Sequence, residues 1–216
     1  MIAPGELDIQ YLKKFRSAIV ARAKKGQRFF IITGGGQTCR IYQKAAQAIG
    51  KISNDDLDWI GIATNKLHSE FVRAIFGKLA YKEVLGLEHA YKFKSREAIT
   101  VCRGGLAPGG TSDSASVKFG KVLGIKTIIN LTNVAGVYDR NPGKFKNTKL
   151  IPEMSWTDLR KQFGVKKTPG RNLPFDSSIA REAERSGLKV IILNGSNLQN
   201  LQNFLASKLF KGTVVQ

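Results

Sequence analysis

Four short runs of almost unbroken apolar residues, RFFIIT (28–33), AITVC (98–102), KTIINLT (126–132) and KVIILN (189–194), constrain this chain more than any other feature. A strand that is apolar at every position must be covered on both faces, which is the pattern of a buried parallel sheet. Between the runs lie segments of helical period. Residues 8–23 place Ile9, Leu12, Phe15, Ile19, Val20 and Ala23 on one stripe, and the Gly26-Gln27 step ends it. QTCRIYQKAAQAIG reads as a helix closing at Gly50. Residues 55–76 read as a longer one, with Ala63, Leu67, Phe71, Ile75 and Phe76 along one side. SASVKFGKVLG (114–124) closes at Gly124, and further helices are expected over 155–163, 176–187 and 198–210, ahead of a terminal GTVV. Strands alternating with helices define an α/β class: three layers, α/β/α, around a mainly parallel central sheet. The expected organisation is one domain over residues 1–216, with an N-terminal lobe to about 120 and a C-terminal lobe from about 121 around a cleft.

Composition narrows the class further. Hydrophobic residues are 42% and charged residues 24% of the chain, ordinary globular values that exclude disorder. No apolar run approaches the ~20 residues of a membrane span. The start, MIAPGELDIQYLKKF, lacks the apolar core of a signal peptide. Two cysteines, Cys39 and Cys102, make no disulfide framework, so a reducing cytoplasm is the expected compartment. Both thiols read as core or near-core, and His68 and His89 as structural. No metal-ligand spacing is present.

The net charge of +19 raises the expectation of an anionic partner: nucleic acid, acidic lipid or a phosphorylated small molecule. The basic residues are scattered, as in Lys13, Lys14, Lys24, Lys25, Lys92, Lys94, Lys166 and Lys167, without a run of five or six. There is no zinc pattern, RNP-like aromatic strand or basic zipper. The distribution weighs against nucleic acid as the main partner, although the charge leaves it open.

Chemistry in an α/β sheet belongs beyond the carboxyl ends of the strands. Four segments emerge there. Thr33-Gly34-Gly35-Gly36 leads into a helix, where close-approaching amides and the helix N-terminus suit an anion. Arg40 lies one turn further in, able to fork onto a phosphate. Gly104-Gly105-Leu106-Ala107-Pro108-Gly109-Gly110-Thr111-Ser112-Asp113 suits a loop wrapping a polar ligand, with Asp113 either functional or a helix N-cap. Thr132-Asn133-Val134-Ala135-Gly136-Val137-Tyr138-Asp139-Arg140-Asn141-Pro142 offers Tyr138 to stack on a base or to pack at the sheet edge. Leu173-Pro174-Phe175-Asp176 starts a helix with Asp176 as its N-cap. None of the four is a Walker A loop or a GxGxxG fingerprint.

Together these segments resemble the amino acid kinase superfamily, and within it the uridylate kinases of archaeal type. The resemblance is carried by FFIITGGGQTCRIYQKAAQAIG, DWIGIATNKLHSEF, RGGLAPGGTSDSASVKFGKVLGIKTIINLTNVAGVYDRNPGKF and PFDSSIAREAERSGLKVIILNG, in the family's order. GELDIQYLKKF and GTVV extend it over essentially all of the chain. It implies phosphoryl transfer from ATP to UMP with magnesium brought in by ATP, in pyrimidine nucleotide synthesis. Gly35 would touch the UMP phosphate and Gly36 the ATP phosphates, with Arg40 catalytic on the ATP side. Asp58 would accept the ribose hydroxyls of UMP, and Gly105, Leu106, Ala107, Pro108, Gly109, Gly110 and Thr111 would wrap it. Thr132, Asn133, Tyr138 and Asn141 would line the ATP pocket. A hexamer built from dimers is implied too, with the helix 55–76 as a contact surface.

Three departures accompany the resemblance. The family opens with a strand and a K-x-G-G-S loop, whereas this chain begins with the text that normally follows, so the expectation is an internal start or a natural truncation. The family's V-D-G-V-Y reads Val134-Ala135-Gly136-Val137-Tyr138, and its D-x-D-P turn reads Asp139-Arg140-Asn141-Pro142. The chain is therefore expected to bind UMP better than it turns it over. The alternatives are a weak or inactive nucleotide- or oxyanion-binding member of the fold, and a kinase for another small anionic acceptor such as acetylglutamate, carbamate, aspartate or isopentenyl phosphate.

Overall fold

A computed structural model describes residues 7–164 and 174–216; Leu173, Lys166 and Lys167 lie outside the described residues. The chain is α/β and divides into two compact units, Met1–Phe119 and Gly120–Gln216.

In the first unit, α1 (Ile9–Ala23) is opened by Asp8, whose carboxylate accepts the Tyr11 N–H at 2.8 Å. It buries Leu12, Phe15, Ala18 and Ile19, and the Phe15 ring meets Phe76 edge-on at 6.5 Å. Strand β1 (Phe29–Ile32) leads through the glycine turn into α2 (Gly36–Ile49), and α3 (Asn54–Phe76) follows. Ser53 caps α3 by accepting the Asp56 N–H, and Asp55 and Asp56 complement the helix dipole at that end. Gly77, at φ +55°, ends the helix in a conformation that favours glycine. A single turn α4 (Leu87–Ala90) precedes β2 (Ile99–Cys102), which pairs in parallel with β1 from Phe29↔Ile99 to Ile32↔Cys102. Helix α5 (Ser112–Leu123) carries the chain onward.

The second unit holds β3 (Thr127–Thr132), β4 (Val137–Tyr138), β5 (Leu150–Ile151), β6 (Glu153–Met154), α6 (Trp156–Phe163), α7 (Ala180–Arg185), β7 (Lys189–Asn194), α8 (Leu198–Leu205) and β8 (Thr213–Val215). Its sheet runs in the order β3-β7-β8-β6, with β3·β7 and β6·β8 parallel and β7·β8 antiparallel. Val190, Ile191, Ile192 and Leu193 are at most 1% exposed, as a central strand demands. The small pair β4·β5 is antiparallel.

Several sequence expectations change. Strands β1 and β3 are half-buried rather than fully covered, because each has one hydrogen-bonded neighbour among the described residues. The helix expected over 198–210 ends at Leu205: Ser207 takes φ +56°, and the chain folds back so that Phe210 packs edge-on against Phe204 at 5.0 Å. The 176–187 helix starts as a 3₁₀ turn, Ser177–Ile179, capped by Asp176. In α3 the stripe of Ala63 and Leu67 faces outward, while Thr64, His68 and Ser69 are buried. The reason for that inversion lies at the ends of β1 and β2.

Candidate functional site

The two parallel strands of the first unit both end in glycine, and the polar inner side of α3 stitches those ends together. Thr33, the residue after β1, is 1% exposed; its hydroxyl is 2.9 Å from that of Ser69 and 3.3 Å from the Asn65 carbonyl. The Ser69 hydroxyl lies 3.4 Å from the Cys102 carbonyl at the end of β2. One proton per hydroxyl satisfies the chain in either direction: Thr33 to Ser69 to Cys102, or Ser69 to Thr33 to Asn65. His68 Nδ1 is 2.8 Å from the Gly34 carbonyl, so Nδ1 carries the proton and donates it. Apolar residues at these places would take the side-chain donors from the Gly34 and Cys102 carbonyls at the strand ends, which is why this helix turns its polar side inward.

Removing the His68 donor is expected to destabilise the protein by about 1–3 kcal/mol, or roughly 2–4 °C of Tm per kcal/mol. His68→Gln, which keeps a donor, should melt above His68→Ala in scanning fluorimetry. Equal melting of His68→Ala and the parent would contradict the contact.

The second glycine segment depends on close approach. A Cβ on Gly104 would stand 2.0 Å from the Thr33 carbonyl oxygen, and one on Gly105 would stand 2.9 Å from the Ile62 Cα. Both positions therefore bring the loop backbone directly onto the β1 end and α3. Further along, Pro108-Gly109 forms the centre of a turn closed by the Gly110 N–H to the Ala107 carbonyl at 3.1 Å, with Gly109 at φ +78°. The Gly109 N–H donates to Asp58 Oδ2 at 2.6 Å. Residues 51 positions apart thereby join the first turns of α3 to the tip of the loop. Thr111 and Ser114 then cap α5 reciprocally, each side chain accepting the other's backbone N–H. Asp113 is thus not the N-cap: α5 begins at Ser112, and Asp113 sits in its first turn.

Gly35 is the N-cap of α2 and Gly36 its first residue. A Cβ on Gly35 would meet the Cys39 Cβ at 2.6 Å, so the Cys39 side chain fills the space beneath the turn. Burial pushes the Cys39 thiol above its ordinary range, Arg40 pulls it down, and Asp58 pushes it up again. Arg40 and Asp58 therefore lie within electrostatic reach of one thiol. Arg40 is exposed, with Nε donating to Gln37 Oε1 at 3.2 Å. The Cys102 thiol is pushed up to about 12 by burial alone. The first unit thus gathers Gly35, Gly36, Arg40, Asp58 and the Gly105–Thr111 loop around the ends of β1 and β2.

The remaining candidates belong to the second unit. Thr132 ends β3, where its carbonyl accepts the Gly195 N–H at 2.8 Å, and its hydroxyl donates to Asn133 Oδ1 at 3.3 Å. Tyr138 lies in β4 opposite Leu150, its carbonyl taken by the Gln162 side chain at 2.5 Å. Asn141 is engaged in its own turn, Oδ1 accepting the Gly143 N–H at 2.8 Å. Asp139 ties the same loop to Lys149 through both backbone and side chain. Gly136 admits β8: a Cβ there would stand 2.4 Å from the Thr213 hydroxyl, which accepts the Val137 N–H.

Sequence reasoning missed Asn65, Ser69 and Arg103. Among the described residues, Asn65 Oδ1 and Arg103 Nε are buried polar atoms without a hydrogen-bond partner, and both belong to the surroundings of the Gly104-Gly105 backbone. The signal that could have found Asn65 and Ser69 is polarity at helical spacing (Thr64, Asn65, His68, Ser69) opposite an apolar stripe; Arg103, in the loop after β2, carries no such signal. Among the described residues no group of three or more His, Cys, Asp or Glu is placed to hold a metal ion. No helix among them is long and apolar enough to cross a membrane.

Glycine-rich strand-to-helix turns on a mainly parallel sheet are an arrangement that suits anion binding in α/β proteins. The amino acid kinase family model matches residues 1–194, and the chain belongs to that family. It is 26% identical over 212 residues to the uridylate kinase of Sulfolobus acidocaldarius, covering 97% of this chain and 93% of that one. It is 29% identical over 215 residues to the uridylate kinase of Thermoplasma volcanium, covering 96% and 90%. The crystal structure of uridylate kinase from Archaeoglobus fulgidus superposes with a TM-score of 0.82 at 25% identity, over 96% of this chain and 92% of that one. These similarities support a phosphotransferase of the amino acid kinase type.

Proposed function

We propose that the chain is a UMP kinase, transferring the γ-phosphoryl group of ATP to UMP to give ADP and UDP. The observation that carries this reading is the Asp58–Gly109 hydrogen bond, which sets a carboxylate at the rim of a glycine-rich loop beside the Gly35-Gly36 turn. A carboxylate accepts paired ribose hydroxyls well, and the turn and loop amides suit a phosphate. The attacking atom of UMP is already an anionic phosphate oxygen, so no strong general base is required. Catalysis then rests on alignment and on positive charge and amides around the transferring group. In this reading Gly36, Arg40, Thr132, Asn133, Tyr138 and Asn141 serve ATP, and Gly35, Asp58 and Gly105–Thr111 serve UMP. Magnesium would come with ATP and would supply charge neutralisation at its phosphates. A role in pyrimidine nucleotide synthesis and a cytoplasmic location go with this assignment.

The test is ADP formation from ATP with a panel of acceptors: UMP, CMP, acetylglutamate, carbamate, aspartate and isopentenyl phosphate. UMP should be the preferred acceptor, at a rate below the ~1–100 s⁻¹ usual for kinases. Preference for another acceptor would overturn the assignment. Ala135 supplies no carboxylate, and Asn141 Oδ1 is committed to Gly143; both favour a second reading, a nucleotide-binding member of the family without turnover. Tight UMP binding with no ADP formed would select it.

A homo-oligomer, hexameric by family resemblance, also belongs to this reading. Helix α2 buries none of its residues; Ile41 (54%), Tyr42 (64%) and Ile49 (89%) are exposed on it, as are Trp59 (55%) and Leu67 (62%) on α3. Arg40 and Lys44 on α2 offset the two excess carboxylates on α3 (Asp55, Asp56, Asp58 and Glu70 against Lys66 and Arg73). On a chain of net charge +19 this charge-balanced pair of helices, with exposed apolar side chains, lets two copies meet without mutual repulsion. Light scattering should give a multimer that Leu67→Glu reduces in mass; a monomeric parent protein would refute the assembly.

A further inference from the structure

Part of the net charge of +19 is concentrated at the end of β1 and β2 opposite the glycine turns. Arg22, Lys24, Lys25 and Arg28 come from the end of α1 and the entry to β1, and Lys92, Lys94 and Arg96 from the segment before β2. The two segments are physically joined. The Arg28 guanidinium donates to the Ser95 carbonyl at 3.1 Å, and the Phe29 N–H donates to the Ala98 carbonyl at 2.7 Å. The turn after α1 folds tightly, with the Gln27 N–H donating to the Arg22 carbonyl at 3.2 Å, so Lys24 and Lys25 stay beside Arg28.

Lys24, Lys25, Arg28, Lys92, Lys94 and Arg96 are all exposed. Among the described residues none of these six cations forms an ion pair with a carboxylate. The nearest acid in sequence, Glu97, is engaged by the Ser95 hydroxyl. Beneath the cations an aromatic row fixes the segment. Arg28 lies over the Phe30 ring at 5.8 Å, Phe30 meets Phe93 edge-on at 6.3 Å, and Phe93 meets Tyr81 at 5.0 Å. Tyr91, next to Lys92, is 75% exposed and is the one large hydrophobic side chain of these two segments with so much of its surface in solvent.

We propose that this basic end of the first unit binds single-stranded nucleic acid. Unpaired cations held together on a fixed scaffold repel one another, and a chain of phosphates relieves that repulsion while releasing its own condensed counterions. An exposed aromatic ring among cations supplies the stacking face that single strands use without sequence preference. An anionic membrane surface would ask for several apolar side chains to insert, and these segments expose Tyr91 alone. The four paired residues of each strand, roughly 13 Å of β-structure, separate this surface from the glycine turns, so the surface is independent of the nucleotide site.

The test measures anisotropy of fluorescein-labelled oligouridylate and oligothymidylate with the full chain at increasing sodium chloride. Engagement of six phosphates gives a slope of log K against log salt of about −4 at ~0.7 per phosphate. The triple variant K92Q/K94Q/R96Q should lose about two from that slope, whereas the charge-matched K13Q/K14Q/K208Q should keep it. Both variants should keep the parent's acceptor preference and turnover, and saturating ATP with UMP should leave the oligonucleotide bound. The proposal falls if the slope is shallower than about −1, or if both triple variants weaken binding equally. Displacement by ATP with UMP, or binding to phosphatidylserine vesicles in place of oligonucleotides, would overturn it too. None of these outcomes bears on whether the chain phosphorylates UMP.

Discussion

Gly104→Ala is expected to melt roughly 6–12 °C below the parent protein, from an overpacking penalty of about 3 kcal/mol at 2–4 °C per kcal/mol. The new methyl carbon would stand 2.0 Å from the Thr33 carbonyl oxygen and 3.2 Å from its carbon. Those are backbone atoms, so no rotamer change relieves the clash; the ends of β1 and β2 have to move apart. The same movement loosens the Thr33–Ser69–Cys102 hydroxyl chain and displaces the Gly105–Thr111 loop, so UMP should no longer raise the melting temperature. Gly34→Ala is the matched control, since its methyl would meet only the Ser112 hydroxyl at 3.6 Å, an ordinary contact. If the two variants melt together, the approach of the second glycine segment to the first is not as described.

Asp58→Ala should weaken UMP binding about 10–150-fold, the equivalent of 1.5–3 kcal/mol for a hydrogen bond to a charged group, with little change in melting temperature. Two losses combine: the carboxylate proposed to accept the ribose hydroxyls, and the tether to the Gly109 N–H at 2.6 Å. Asp58→Asn separates them, because its amide oxygen can still accept from Gly109 while the charge is gone. The ordered expectation in titration calorimetry is parent tightest, asparagine intermediate, alanine weakest, with the KM for ATP unchanged. Unaltered UMP affinity in the alanine variant would remove Asp58 from the site.

The architecture was legible because its signals are local. The apolar runs at 28–33, 98–102, 126–132 and 189–194 are strands, each bounded near the residues where pattern and turn chemistry predict. The two-residue strands β4, β5 and β6 were not legible, since two residues carry no period. Nor was the cap of α5: Thr-Ser-Asp offers three capping side chains in a row, and the reciprocal fit of Thr111 with Ser114 selects among them. The helix expected to reach 210 ends early because Phe210 gains a ring contact by folding back onto Phe204.

The candidate site divides in the same way. Its glycines announce themselves in the sequence, because strand-to-helix junctions with clustered glycine are rare without a ligand or a close approach. What the amino-acid order determined by itself was the alternation of buried strands and helices, the glycine segments at their ends, and through these the family. Tertiary structure alone decided that α3 turns Thr64, His68 and Ser69 inward and Leu67 outward. It alone decided that Asp58 reaches a loop 51 residues away, and that cations from two distant segments share one end of a sheet. The physical reason is that periodicity reports which residues can share a helix face, whereas burial of a polar side depends on carbonyls supplied by strands far away in the chain.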